Sequence, residues 1–185
     1  MRVSDLDKGD VIKLENKIFE VIEIKHLHLG RGSANLTLTL KNLQTGQRIE
    51  KVFKPDEKVD YLDIERRKIV FEKDDQNFYY FKNKESLSKL DKKLFIYLKN
   101  YLKNGLEVVG YFDENDNLIT VELPKIIELK VIETPPDFKG GTVQSNYKTA
   151  LLETGLEIKV PFFIKEGDII RINTETGEYV ERVQK

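Results

Sequence analysis

The sequence has no cysteine and no tryptophan, and it has only two histidines and one methionine in 185 residues. The absence of cysteine excludes a disulfide framework, a thiol nucleophile and thiolate metal sites, and is typical of a reducing compartment. No apolar run approaches the roughly 20 residues that span a bilayer. The first residues reach acidic side chains before any apolar stretch develops, so no secretory signal is expected. We therefore expect a cytoplasmic protein with no membrane partner.

An excess of either charge is also missing. Lysine and arginine total 31 against 32 aspartate and glutamate, which gives a formal net charge of −1. This balance argues against a protein held on nucleic acid by bulk positive charge. Hydrophobic residues at 39% are enough to build cores. Any contact with nucleic acid must therefore be local.

Two stretches of the chain contain no acidic residue. The first runs from Ile24 to Ile49 and the second from Phe138 to Leu152. A carboxylate would oppose phosphate, so such stretches are candidate nucleic-acid contacts, although chance placement is the alternative. The basic or potentially basic residues that they contain and that we take as candidates are Lys25, His26, His28, Arg31, Lys41, Lys139 and Lys148.

Period-two alternation dominates the first third of the chain and predicts strands. Turn residues at 15–17 and 44–47 separate them, and this first barrel or sandwich is predicted to end near Lys54–Asp56. Between two of the strands, Gly30 and Gly32 flank Arg31, and glycine suits a tight hairpin turn because it tolerates positive φ. Arg31 is therefore expected at a hairpin tip. A solvated turn arginine is the alternative.

The rest of the chain reads as two further β units. Leucines and a tyrosine recur at three- and four-residue steps from Glu85 to Asn104, before Gly105, and predict one amphipathic helix. The sequence thus predicts a mainly β fold of three small barrels with one short helix, and domains at 1–62, 63–126 and 127–185. Short echoes, such as Gly9–Lys13 with Gly167–Arg171, suggest similar barrels. The predicted strands are 67–72, 78–83, 106–112, 118–123, 126–134, 150–152, 156–160, 168–173 and 178–183.

Groups that could carry catalysis are scarce. His26 and His28 would share one face of a strand, which could hold a metal if a third ligand arrived from elsewhere, but two exposed polar positions are the ordinary interpretation. No phosphate-binding glycine loop occurs in the strand–loop–helix context that it requires. We expect no catalytic residue, no metal and no cofactor.

Several ordered segments resemble bacterial elongation factor P over essentially the whole chain. Leu29–Ala34, Leu40–Leu43 and Glu50–Lys54 are similar to the first domain of that family. The third domain is matched most specifically: Lys148–Ala150, Thr154–Gly155, Val160–Ile164, Gly167–Asp168 and Thr176–Val183. The resemblance implies an SH3-like (KOW-like) barrel followed by two OB-fold barrels in an elongated shape that mimics tRNA.

The resemblance also implies a function. Members enter the ribosome beside the P-site tRNA when synthesis stalls on consecutive prolines, and promote peptide bond formation without being enzymes. Arg31 corresponds to the residue that points toward the peptidyl-transferase centre, within the tip loop Leu29, Gly30, Gly32 and Ser33. Members with arginine there can carry rhamnose, so an arginine rhamnosyltransferase is a candidate partner. The other implied partners are rRNA and ribosomal proteins near the E site, and the factor is expected to be a monomer.

The same resemblance assigns contacts in the third domain. The loop Lys139, Gly140, Gly141 and Thr142 corresponds to one that lies toward the E-site codon, and Tyr179 and Arg182 are candidate tRNA or rRNA contacts. Barrel packing for Tyr179 and a solvated strand end for Arg182 are the alternatives. Two positions depart from the common pattern: Leu29 stands where many members have proline, and Gly141 where many have aspartate.

Three other functions are compatible with parts of the sequence. The first is the elongation factor P-like paralogue, which also carries arginine at the tip. The second is a general OB-fold binder of single-stranded nucleic acid. Against it, the aromatic cluster Phe78, Tyr79 and Tyr80 alternates with too little positive charge to form a basic groove. The third is a small metal enzyme that uses His26 and His28.

Overall fold

The computed structural model of the chain describes residues 1–27, 35–84, 86–136 and 147–183. These residues form three five-stranded sheets, each built from strands that are consecutive in the chain. They also form two short 3-10 helices, Val3–Asp5 and Ile96–Asn100. No helix in this part of the chain is long and apolar enough to cross a membrane. The protein is therefore mainly β, as the sequence predicts.

The first sheet has the order β4-β3-β2-β1-β5. Its centre follows the predicted alternation, because half-buried residues of β3 alternate with the buried Leu36, Leu38 and Leu40. Glu15 and Asn16 turn the chain between β1 and β2 at φ 49° and 62°, where the sequence predicts a turn. The sheet continues past its predicted end near Asp56, because β5 pairs with β1. The strands are β1 (Val11–Leu14), β2 (Lys17–Leu27), β3 (Asn35–Asn42), β4 (Arg48–Phe53) and β5 (Asp60–Leu62).

The central sheet has the order β10-β9-β6-β7-β8, and the C-terminal sheet has the order β13-β12-β11-β14-β15. The C-terminal core is made of aliphatic side chains, among them Leu129, Val131 and Ile170, which are fully buried. The central strands are β6 (Glu65–Asp74), β7 (Phe78–Asn83), β8 (Ser86–Asp91), β9 (Glu107–Phe112) and β10 (Leu118–Glu122). The C-terminal strands are β11 (Ile126–Glu133), β12 (Tyr147–Leu152), β13 (Glu157–Pro161), β14 (Ile169–Asn173) and β15 (Glu178–Arg182).

The helix predicted from Glu85 to Asn104 is wrong. Ser86–Asp91 form strand β8, which pairs with β7 along its whole length, and only Ile96–Asn100 are helical, as a 3-10 turn. The leucine series does not make one apolar face, since Leu90 is buried whereas Leu87 is 51% and Leu94 is 69% exposed. Serine and aspartate compete with the helical backbone for hydrogen bonds, and the pairing with β7 decides the outcome.

One long strand of each sheet contains a bulge, and the same pattern of backbone hydrogen bonds holds all three bulges. The residue at the bulge exchanges two backbone hydrogen bonds of 2.8–2.9 Å with a glycine and the residue after it, on another segment of the same sheet. Each glycine has positive φ, between +83° and +96°, which other residues rarely adopt. The matched sets are Val21 with Gly9–Asp10, Phe71 with Gly105–Leu106, and Val131 with Gly167–Asp168.

By compactness the chain divides into two units rather than three. One unit contains Met1–Lys68 and Val109–Glu122, and the other contains Ile69–Val108 and Leu123–Lys185. The three sheets nevertheless fall within the three predicted stretches 1–62, 63–126 and 127–185. The domain boundaries themselves stay a prediction.

Candidate functional site

The support of the predicted tip is the antiparallel pair β2 and β3. These strands pair from Phe19 with Asn42 to Leu27 with Asn35, and β3 is also paired to β4 on its other side. Residues 28–34, which include His28 and the tip loop Leu29, Gly30, Arg31, Gly32 and Ser33, lie outside the described residues. They connect the last pair of the two strands. The chain on both sides of Arg31 is therefore fixed by sheet hydrogen bonds and by the buried leucines of β3.

Of the candidate contacts on β2, Lys25 and His26 are both exposed. The Lys25 ammonium lies 3.2 Å from the Glu23 carboxylate and 3.9 Å from that of Glu50, and all three side chains are more than half exposed. Exposed ion pairs of this kind contribute little to stability. The positive charge of Lys25 thus remains on the surface beside two carboxylates that the sequence interpretation did not anticipate.

Lys41 is placed differently. Its side chain is only 16% exposed, and its ammonium donates to the Glu122 carboxylate, which also accepts a 2.7 Å hydrogen bond from the Tyr111 hydroxyl. Burial raises the pKa of Glu122, but the hydrogen bonds from Lys41 and Tyr111 outweigh it and hold that pKa below its usual value. The pKa of Tyr111 is raised, first by its burial and then by its bond to Glu122. Lys41 therefore takes part in a structural network.

Arg66 extends this network within the same compact unit. Its guanidinium donates at 2.9 Å to the Gly9 carbonyl and at 2.9 Å to Glu20, and lies 5.2 Å from the centroid of the Tyr111 ring. The network joins residues from the first sheet to the β9–β10 hairpin. It stabilises the unit that carries the tip, and nothing in the sequence pattern alone could pair residues so far apart along the chain.

In the C-terminal unit, Lys148 and Tyr179 are partly or fully withdrawn from solvent. Lys148 is 8% exposed, and its ammonium donates to the Pro135 carbonyl at 2.9 Å. Tyr179 packs against the C-terminal core, and burial is the main cause that raises its pKa. Tyr179 also lines a cavity of about 570 Å³ together with Tyr147 and Lys159. Both side chains thus have packing roles, whatever else they contact.

Arg182 lies at the end of β15 and is exposed. Its guanidinium is 3.5 Å from the Asp168 carboxylate and 5.6 Å from the centroid of the Phe163 ring. The predicted E-site loop, Lys139, Gly140, Gly141 and Thr142, lies outside the described residues. The structure therefore brings Arg182 to an aromatic surface and does not address the loop.

The described residues include His26 but not His28. Among them, no group of side chains is arranged to hold a metal ion. The sequence analysis missed a different cluster. Lys73, Lys82 and Lys89 lie on the same face of the central sheet as Phe78 and Tyr80. The leucine spacing predicts a helix at Lys89, and a helix would not place it beside Tyr80. Ser86 and Ser88, which compete with a helical backbone for hydrogen bonds, were the available signal.

Comparisons with known proteins match both ends of the chain to one family. The family model described as "Elongation factor P (EF-P) KOW-like domain" matches residues 2–59, and the one described as "Elongation factor P, C-terminal" matches residues 127–182. The elongation factor P of Acetivibrio thermocellus is 41% identical over 97% of each chain. That of Carboxydothermus hydrogenoformans is 39% identical over 97% of this chain and 98% of its own. Among solved structures, translation initiation factor 5A from Methanococcus jannaschii aligns with a TM-score of 0.45 and 17% identity, over 66% of this chain and 91% of its own.

Proposed function

Because the chain belongs to the elongation factor P family of translation factors, we propose that it binds the ribosome beside the P-site peptidyl-tRNA and relieves stalling on consecutive prolines. In this proposal Arg31 reaches toward the peptidyl-transferase centre and holds the CCA end of the tRNA in place. Orientation of reacting groups lowers the barrier, while the ribosome performs the chemistry. The protein is then a cytoplasmic monomer that is neither an enzyme nor dependent on a cofactor.

The observation that carries the proposal is the near full-length similarity together with the support of residues 28–34. A side chain that positions a substrate must sit on a rigid base, since small displacements weaken its effect. The paired strands β2 and β3, with Leu36 and Leu38 in the core, supply such a base up to the residues that flank the tip. The arginine adds a permanent charge and several hydrogen-bond donors suited to phosphate.

The remaining partners in the proposal follow from the same family membership. They are rRNA and ribosomal proteins near the E site, and an arginine rhamnosyltransferase that modifies Arg31. On the described part of the third domain, Arg182 is the exposed candidate for an RNA contact, and Tyr179 is half-buried beside a cavity. Lys25 and His26 are the corresponding exposed candidates on β2.

The test is the yield of a consecutive-proline peptide in a reconstituted translation system that lacks the factor. Wild-type protein is expected to restore the yield, and Arg31→Ala is expected to lose most of that effect. The matched control is Arg48→Ala, because Arg48 is also an exposed arginine of the first sheet. It is the β4 strand partner of Lys41, far from the β2–β3 end that carries the tip. Arg48→Ala should restore the yield as the wild type does.

Wild type and Arg48→Ala are each added unmodified and after rhamnosylation of Arg31, so that the modification and the arginine are separated. Arg31→Ala lacks the side chain to be modified and is added in its single form. Rescue by rhamnosylated protein alone assigns the activity to the modified side chain. Full rescue by Arg31→Ala, or no rescue by wild type in either form, contradicts the proposal. Unfolding of Arg31→Ala, measured by circular dichroism, would also contradict a tip role, because an exposed tip buries little apolar surface.

A further inference from the structure

The central sheet has one buried face and one face that carries rings and lysines. Along β7, Tyr79 and Phe81 are buried, whereas the alternating residues Phe78, Tyr80 and Lys82 are half-buried or exposed. Lys73 of β6 and Lys89 of β8 are exposed on this second face. We call these five residues, Phe78, Tyr80, Lys73, Lys82 and Lys89, the outer aromatic face. All five belong to one compact unit.

The strand register places a lysine on each side of Tyr80. Lys73 is the β6 partner of Tyr80 and Lys89 is its β8 partner, so the three side chains form one row across the sheet. The neighbouring row contains Lys82 between Val70 and Leu87, which are 37% and 51% exposed. Directly opposed side chains of antiparallel strands lie about 5 Å apart. The face is thus a small platform of rings bordered by positive charge.

The two rings are held in place before any ligand arrives. Their centroids are 6.4 Å apart at an interplanar angle of 65°, and the Tyr80 hydroxyl donates at 2.7 Å to the Asp75 carboxylate. That carboxylate also accepts the backbone N–H groups of Asn77 and Phe78, each at 2.8 Å. The Lys89 ammonium lies 4.4 Å from the Phe78 centroid, and that of Lys73 lies 5.8 Å from the Tyr80 centroid. Fixed side chains lose little entropy on binding.

The charges on this face are unevenly distributed. The Asp75 carboxylate accepts from the Tyr80 hydroxyl, and Asp91 is the strand partner of Phe78, so two carboxylates border the rings. None of the ion pairs between described residues joins Lys73, Lys82 or Lys89 to a carboxylate. Lys92, on the segment after β8, differs from these three lysines because its ammonium is paired with the Asp74 carboxylate. A polyanion would therefore be attracted to the Lys73–Tyr80–Lys89 row and to Lys82.

We propose that the outer aromatic face binds a single-stranded stretch of RNA, with bases stacked on Tyr80 and Phe78 and phosphates contacted by Lys73, Lys82 and Lys89. Two rings at alternate positions of one strand suit consecutive unpaired bases, and lysines on the adjacent strands suit the backbone between them. An acidic peptide would satisfy the lysines but would leave the rings without stacking partners. The inference concerns a surface separate from Arg31 and does not depend on the proposed tip function.

The test uses the purified full chain and fluorescein-labelled oligouridine and oligoadenine RNA of about twelve nucleotides, a length within the range of small β-barrel sites. Fluorescence anisotropy is expected to show saturable binding. Tyr80→Leu and Phe78→Leu should each weaken it by about fivefold or more, because stacking on a ring contributes substantially per base. The control is Tyr61→Leu, which changes a tyrosine that is 38% exposed on β5 and should leave the affinity unchanged.

Leucine keeps most of the apolar volume, and circular dichroism with urea unfolding checks that each variant is folded before its affinity is compared. The proposal is overturned if wild type does not bind the RNA, if both leucine variants bind as wild type does, or if polyglutamate or duplex RNA competes as well as single-stranded RNA. The proline-peptide assay separates the two proposals. Arg31→Ala should retain RNA binding, so its failure in translation would not count against this face.

Discussion

At the residue scale, Glu122 is a partly buried carboxylate that serves both as a counter-ion and as a hydrogen-bond acceptor. It accepts from the Lys41 ammonium and the Tyr111 hydroxyl, and Arg66 lies over the same tyrosine ring. A neutral amide could accept one of these bonds but would leave the Lys41 charge, only 16% exposed, without its counter-ion. The residue therefore matters more to folding than the exposed pairs around Lys25.

The lowered pKa of Glu122 predicts how stability depends on pH. A carboxyl whose pKa is lower in the folded than in the unfolded state stabilises the fold above its unfolded pKa and loses that contribution as the pH falls through the folded value. We expect the free energy of unfolding to fall on acidification below about pH 4.5, and to fall less steeply in Glu122→Gln. At neutral pH the variant should be about 1–2 kcal/mol less stable.

Urea unfolding followed by circular dichroism, at a series of pH values, measures both effects. The control is Glu114→Gln, since Glu114 is an exposed carboxylate in the turn between β9 and β10. A Glu122→Gln profile parallel to that of wild type across the acidic range would show that this carboxylate does not carry the pH dependence.

Sequence reasoning at this scale found residue types but not their partners. The candidates Lys25, Lys41 and Lys148 look alike in the sequence, as cations in acid-free stretches. In the structure Lys25 is exposed, Lys41 is paired with Glu122, and Lys148 is buried against the Pro135 carbonyl. The Lys41 and Glu122 positions are 81 residues apart, and no local pattern predicts such a contact. The distinction between a surface and a structural lysine therefore required the fold.

At the element scale, local patterns predicted the strands well where one face is buried and turn residues are distinctive. The β7 strand has the predicted bounds, and β3 alternates as expected. The Thr-Gly turns after Asn42 and Asn173 use the same bonds: each asparagine side chain accepts two backbone N–H groups, and the glycine N–H returns to the asparagine carbonyl. Such turns are encoded locally, which is why their positions were predictable.

The helix prediction after β7 failed because a helical spacing of leucines falls on residues that pair as a strand. Leu87, Leu90 and Leu94 fit a helical spacing, but pairing with β7 satisfies the backbone of β8 and buries only Leu90 of the three. Tertiary pairing thus overrode the local periodicity. The same error hid the outer aromatic face, because Lys89 reaches Tyr80 only if residues 86–91 are a strand.

This assignment makes a prediction that a helix would not share. Leu90→Ala should destabilise the protein by about 2–5 kcal/mol, because it opens a cavity in a packed core. Leu87→Ala should cost less than about 0.5 kcal/mol, since Leu87 is half exposed on the other face of β8. Urea unfolding of the two variants measures the difference directly. Equal losses at the two positions would indicate that both leucines share a buried face, and would rule out the strand.

At the scale of the whole molecule, a common bulge-and-glycine arrangement occurs in all three sheets, which explains the faint sequence echoes. Gly9–Asp10 and Gly167–Asp168 make equivalent bonds to Val21 and Val131, and both aspartates accept a backbone N–H three residues earlier. The echoes are short because only the positive-φ glycine and its neighbour are constrained. Side chains elsewhere in each sheet are free to differ. The three sheets can therefore share this backbone arrangement without similar sequences along their whole length.

The net charge of −1 sets how RNA binding should respond to salt. With no overall positive field, attraction must come from the few lysines that touch phosphate, and each such contact on a single strand contributes about −0.7 to the slope of log affinity against log salt. Lys73, Lys82 and Lys89 together predict a slope of about −2.

Lys82→Gln should make the slope about 0.7 less steep, whereas Lys159→Gln, at an exposed lysine of β13, should not change it. Anisotropy titrations over a salt series measure these slopes. A slope near zero, or an equal change in both variants, would mean that the lysines of the outer aromatic face do not hold the phosphates, because only charges at the binding surface release counter-ions when RNA binds.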